Sequence, residues 1–165
     1  MKQKSCFQRL ENQRELSPQE FEALKNGLEY VELDGDIGVV GNGAGLVIAT
    51  LDMINVYGGK PANFLDMGGG TPPQRIEVAF KIILSNPQVK VLFVNILGGI
   101  TLCDEVARGI IQTRQNLGTS KPMVIRLVGT NEAEGKRILA HADLPFFDSM
   151  EEAALNTVEL AKKEP

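Results

Sequence analysis

The segment VKVLFVNIL, residues 89–97, is apolar on both faces of an extended chain, and Gly98 and Gly99 follow it at once. A strand that can leave neither face in water belongs in the middle of a parallel sheet, with helices covering each side. After the glycines, the stretch 100–109 (ITLCDEVARG) changes to a helix-like pattern. The same order of strand, glycine-rich loop and helix recurs along the chain. Residues 37–41 lead through GNGAG into the helix-like GLVIATLDMINV, closed by Gly58 and Gly59. ANFLDMGGG is a short strand ending in three glycines, before a segment in which Ile76, Ala79, Phe80 and Ile83 recur at helical spacing. Thr71 is read as the cap of that helix, with Pro72 at its first position. Strands at PMVIRLVG and LPFFD then alternate with helices near 102–117, near 131–141 and from about Met150.

Strands alternating with helices mean βαβ units and a mostly parallel sheet. The fold class expected is α/β: a flavodoxin-like three-layer sandwich with a five-stranded parallel sheet in the order 2-1-3-4-5, counting from residue 37. Ahead of it, the Asp-Gly signal in YVELDGDIGVVG predicts a small hairpin between 30–33 and 37–41. Further upstream, Ser17, Pro18 and Glu20 have the spacing of a helix cap. The division expected is therefore an arm and short helix over 1–29 and one domain over 30–165. In this strand order the chain changes direction between strands 1 and 3, and ligands of open α/β sheets bind at such a switch point. The loops Gly41–Gly45 and Gly98–Thr101 are predicted to face each other there.

The function classes excluded are few but firm. A net charge of −4 over 165 residues speaks against a general nucleic-acid surface. No apolar run approaches the length of a bilayer span, and the first residues lack the apolar core of a secretory signal. Two cysteines, Cys6 and Cys103, and one histidine, His141, build neither a disulfide framework nor a histidine metal centre. The setting expected is a reducing one, a bacterial cytoplasm or an organelle matrix.

Glycines between a strand and a helix let backbone approach a ligand closely, and the helix behind them offers free N–H groups to an anion. Thr101 is read as the cap of the helix after 98–99, with Asp104 at capping-box spacing. Asn42, in the facing loop, has a side-chain amide to donate to a carboxylate or phosphate oxygen. The residues alone equally support a second reading, in which the glycines make tight turns and the Thr101–Asp104 pair only caps a helix. GNGAGL misses the dinucleotide fingerprint, because its third glycine comes one position early. DMGGG (66–70) reads as a tight turn against Thr71 and Pro72 in preference to another anion cradle. Asp66 stands at the phosphoacceptor position of a receiver-like domain, without the acidic pair such domains place after strand 1. Cys103 reads as a packing residue, and His141 as a partner for the last carbonyls of its helix.

Three long motifs then converge. The stretches 30–70, 83–111 (ILSNPQVKVLFVNILGGITLCDEVARGII) and 126–139 (RLVGTNEAEGKRIL) closely resemble the C-terminal domain of the β subunit of succinate–CoA ligase (succinyl-CoA synthetase). The likeness runs over roughly 10–160. It implies an αβ ligase of the tricarboxylic acid cycle that joins succinate to coenzyme A at the expense of ATP or GTP, through succinyl phosphate and a phosphohistidine of the α subunit. It implies a carboxylate site at Asn42 and at Gly99, Ile100 and Thr101. The helix start behind them, Leu102, Cys103 and Asp104, would face the phosphate. No catalytic residue and no metal ligand is expected in this chain. ATP or GTP, magnesium and coenzyme A belong to the whole complex, and the partners implied are the α subunit, an ATP-grasp domain (fused or separate) and a small dicarboxylate. No stretch of these residues resembles the ATP-grasp domain, so the isolated chain is expected to be inactive. Thr101 and Leu102 depart from the family's usual valine and arginine, which raises malate as an alternative substrate. A non-catalytic interaction module of the same fold is the other alternative.

Overall fold

The computed structural model describes residues 15–165; the first part of the expected arm, with Cys6, lies outside them. The short helix α1 (Pro18–Lys25) carries the capping box its sequence predicts: the Ser17 hydroxyl accepts from the Glu20 N–H, and the Glu20 carboxylate accepts from the Ser17 N–H. The chain then runs β1 (Glu29–Glu32), β2 (Ile37–Gly41), α2 (Ala44–Val56), β3 (Asn63–Asp66), α3 (Pro73–Leu84), β4 (Val91–Gly98), α4 (Cys103–Leu117), β5 (Met123–Gly129), α5 (Glu132–His141), β6 (Phe146–Phe147) and α6 (Met150–Lys163).

One sheet of six strands results, in the order β1-β3-β2-β4-β5-β6. The five parallel strands β2 to β6 keep the predicted 2-1-3-4-5 arrangement. The sixth corrects the expected hairpin: β1 pairs antiparallel with β3, Glu29 opposite Asp66 and Glu32 opposite Asn63. Both sides of β2 are taken by the parallel partners β3 and β4, so no edge remains there for β1. Gly35 thus does not close a hairpin. A Cβ there would sit 2.0 Å from the Lys60 carbonyl, so it is the close approach of two backbones that requires glycine. Asn63 completes the β3–β2 seam with its side chain, donating to the Val39 carbonyl and accepting from the Val39 N–H.

The sheet separates two apolar layers, as a buried parallel sheet must. Val39, Phe93 and Val124 pack with Val47 and Ile54 of α2 and with Ala154 and Val158 of α6. On the other face Val40, Leu92, Val94 and Ile125 pack with α3, α4 and α5 through Ile76, Phe80, Ile110 and Leu139. The helices following β2 and β4 therefore leave the carboxyl edge on opposite faces, which opens a crevice between their starting loops.

Two carboxylates fasten the far side of that edge. Asp104 accepts from Asn131 at 3.0 Å and from Arg108 at 2.8 Å, which hold its pKa below the usual range in that order of strength. Glu132 is lowered by Lys136 and then by the Gly129 N–H, which donates at 2.8 Å. A carboxyl whose pKa is lowered by folding stabilises the native state above its unfolded value and loses that contribution as pH falls through the folded one. Thermal stability is accordingly expected to fall below about pH 4, and less steeply in the Asp104→Asn, Glu132→Gln double variant. Melting curves between pH 7 and pH 3 check this; parallel profiles for the two proteins would refute it.

Candidate functional site

Three loops meet at the carboxyl ends of β2, β3 and β4, and side chains tie them to one another. The Asn42 amide donates to the Leu97 carbonyl at 2.8 Å and accepts from the Leu97 N–H at 2.9 Å, so it continues the β2–β4 ladder by one step. This brings the loops after β2 and β4 together as predicted, but spends one donor and one acceptor site of Asn42 on the backbone. One N–H of its amide remains. Asp66 Oδ1 accepts from Gly43 and from Gly68, both at 2.7 Å, and so joins the loop after β2 to the loop after β3. The Thr101 hydroxyl accepts from the Gly70 N–H at 3.0 Å, joining the loop after β3 to the loop after β4.

Thr101 corrects the capping prediction. The N-cap of α4 is Leu102, with no side-chain cap bond. The Thr101 oxygen is directed to Gly70, and Asp104 turns away to Asn131 and Arg108. The first amide of α4, Cys103 N–H, is taken by the Thr130 carbonyl at 2.9 Å. Thr71 likewise is not a cap: Pro72 holds that position in α3, while the Thr71 hydroxyl donates to the Met67 and Gly68 carbonyls and shapes the glycine turn.

The exposed parts of the crevice are backbone. Gly43, Gly68 and Gly70 adopt φ of 118°, 75° and 65°, where only glycine is unstrained. A Cβ built on Gly43, Gly45, Gly69 or Gly99 would meet nothing within 4 Å. Among the described residues, no acceptor takes the N–H groups of Ala44, Gly45 and Leu46, or those of Gly99, Ile100, Thr101 and Leu102. Helix α2 has no side-chain cap and no acidic residue in its first turn. Unpartnered amides at a helix start, with the positive end of the helix dipole behind them, make an anion site. Leu97 (53% exposed) and Ile100 (87% exposed) flank it as the apolar surface at its mouth, whereas Thr101 is buried at 4%.

Cys103 is fully buried, and burial followed by the nearby Glu132 pushes its thiol pKa up; the sulfur fills the space a side chain at Gly98 would need. It packs rather than reacts. Among the described residues, no three His, Cys, Asp or Glu side chains gather as they would around a metal ion, and no helix is long and apolar enough to cross a membrane.

A family model described as CoA-ligase matches residues 40–160. The chain belongs to the CoA-ligase family. Among its relatives are subunits beta of succinate–CoA ligase (ADP-forming). That of Ignicoccus hospitalis is 57% identical over 150 residues, which is 91% of this chain and 40% of that protein. That of Herpetosiphon aurantiacus is 54% identical over 144 residues, 87% of this chain and 38% of the relative. The chain thus spans about two fifths of the length of the curated relatives it matches. Among solved structures, ATP citrate lyase of Methanothrix soehngenii, in complex with citrate and coenzyme A, shares the fold. Its TM-score is 0.67 at 19% identity, over 88% of this chain and 43% of that one. A dinucleotide forming acetyl-coenzyme A synthetase of Ca. Korarchaeum cryptofilum, in complex with phosphate and ADP, gives 0.67 at 20% identity, over 91% and 38%.

Within this CoA-ligase fold the third wall is the one the sequence offers only as the lesser alternative to a turn. The segment DMGGG reads as a turn, yet Asp66 and Gly68–Gly70 hold the other two loops in register. An acidic residue ending a strand before three glycines was the available signal, because a carboxylate beside several free amides is drawn to them.

Proposed function

We propose that this chain is the carboxylate-holding, α-subunit-contacting domain of a succinate–CoA ligase β subunit, ADP-forming as its relatives are named, or GDP-forming. The carrying observation is the double set of unpartnered amides, Ala44–Leu46 and Gly99–Leu102, beside open glycine positions at the start of two helices. In this reading the amides of Gly99, Ile100 and Thr101 and the remaining N–H of Asn42 hold the substrate carboxylate. Leu102, Cys103 and Asp104 are the residues expected to face the phosphorylated intermediate. With the Cys103 amide taken by Thr130 and the Asp104 carboxylate by Asn131 and Arg108, that role falls to the Leu102 end of α4. Its dipole favours that anion by about 0.3–1 kcal/mol if exposed and up to about 2 when partly buried.

Succinate is favoured over malate. The threonine hydroxyl that raises malate as a candidate is buried and accepts from Gly70, so it offers little to a substrate hydroxyl. The described residues present no carboxylate cluster for magnesium; nucleotide, metal and coenzyme A are assigned to the rest of the complex, and the phosphohistidine to the α subunit. His141 accepts no such role, since its Nδ1 lies 2.7 Å from the Arg137 carbonyl at the end of α5. Domain 30–165 would work with the α subunit and an ATP-grasp unit, in the cytoplasm of a prokaryote.

Calorimetric titration with succinate and malate, with and without an α subunit from a relative, tests the reading. Succinate binding that tightens with the α subunit and weakens at least about tenfold in Asn42→Ala is expected, because that variant frees Leu97 and the loop behind it. Equal affinity of Asn42→Ala and the parent chain would sink the assignment.

A further inference from the structure

The first turn of α2, one half of the amide cradle, is gripped from below by a polar chain that the ligand site itself does not use. Asp66, Gly41, Asn95 and Arg126 stand side by side in one register row across β3, β2, β4 and β5, the last full row before the carboxyl edge. Arg126 Nη1 donates to Asn95 Oδ1 at 3.0 Å. Asn95 Nδ2 donates to the Thr50 hydroxyl at 2.8 Å, and that hydroxyl donates to the Leu46 carbonyl at 2.7 Å. Asn95 and Thr50 are buried. Arg126 is itself held by the carbonyl of Asp148, which receives its Nε–H at 2.8 Å.

The donors all run one way, from a cation to the carbonyl of Leu46. Each link polarises the next, so the chain strengthens as a unit in its buried setting. A threonine hydroxyl bonded to the carbonyl four residues back also bends a helix locally. Gly41 lets α2 descend onto the row, since a Cβ there would lie 2.9 Å from Val47 Cγ2 and 3.0 Å from the Asn95 carbonyl. The aim of the Ala44, Gly45 and Leu46 amides is thus set by two grips: Asp66 on Gly43 and the Arg126 chain on Leu46.

We propose that Arg126 is a positioning residue: through Asn95 and Thr50 it fixes the first turn of α2, and with it the affinity of the cradle for an anion, without touching the ligand. This rests on the carboxylate-site reading above. It is tested on the full chain with Arg126→Met, Thr50→Val and the double variant, using succinate titration and amide NMR. Each single substitution is expected to weaken succinate about fivefold and to shift the Ala44, Gly45 and Leu46 amide signals, and Arg126→Lys restores part of both. The double variant is expected to be no weaker than either single one, because one broken link disables the chain. Two independent structural contributions would instead multiply, and that result overturns the proposal. If the parent chain takes up no succinate, the site reading fails; the relay is then judged by the amide shifts alone, and unchanged Ala44–Leu46 signals in Arg126→Met refute it.

Discussion

Gly129→Ala is expected to destabilise the chain by about 3–5 kcal/mol. Gly129 ends β5 at φ 118°, and a Cβ there would fall 2.1 Å from the Gly98 carbonyl and 2.8 Å from its carbon. Those atoms are backbone at the end of β4, paired with Gly129 in register, so neither can swing aside. Relief requires the two strand ends to part. That displaces the Gly129 N–H from Glu132 and the Thr130 carbonyl from Cys103, which together seat the starts of α5 and α4. A fall in melting temperature of roughly 10 °C follows for a domain of this size. Gly118→Ala is the control: φ there is 57° with nothing within 4 Å, so only backbone strain of about 1–2 kcal/mol is lost. Equal losses for the two variants would contradict the clash at Gly129.

The particular residues show why some of this was legible in the sequence. VKVLFVNIL declares a central strand because an apolar run on both faces has only one stable environment, and the alternation around it dictates parallel neighbours. Topology then placed the loops after β2 and β4 together before any side chain was considered. The hairpin at 30–41 misled because Asp-Gly signals a local reversal, whereas the pairing of β1 was decided by which sheet edge stood free. Thr101–Asp104 had capping spacing, but each side chain found a partner distant in sequence: Gly70 is 31 residues from Thr101, and Asn131 is 27 from Asp104. Local patterns cannot report such competition. The glycine positions of the candidate site were readable, and what holds them was not, because the holding bonds of Asn42, Asp66 and Thr101 reach residues 55, 23 and 31 positions away.

Asp66 therefore carries the sharpest test of the site. Its Oδ1 receives the Gly43 and Gly68 amides at 2.7 Å, short distances of the kind seen when the acceptor is charged. Asp66→Ala removes both bonds, leaving two amides in the crevice without their acceptor and two loops without their common anchor. A loss of about 2–4 kcal/mol in stability is expected, at about 1.5–3 kcal/mol for each bond to a charged group, reduced because the site is half open to water. Asp66→Asn keeps an acceptor oxygen without the charge, and is expected to lose less than half as much. The two variants also separate anchoring from chemistry. If Asp66 were a phosphoacceptor, Asn and Ala would be equally dead, and the parent chain would take up an acid-labile phosphate. As an anchor, it predicts graded loss of succinate affinity, at least about tenfold for Ala. Hydrogen exchange locates the cause: Gly43 and Gly68 should exchange much faster in Asp66→Ala while Val39 and Val40, deep in β2, stay protected. Unchanged protection at both glycines would mean that the loops after β2 and β3 are held by something other than this carboxylate.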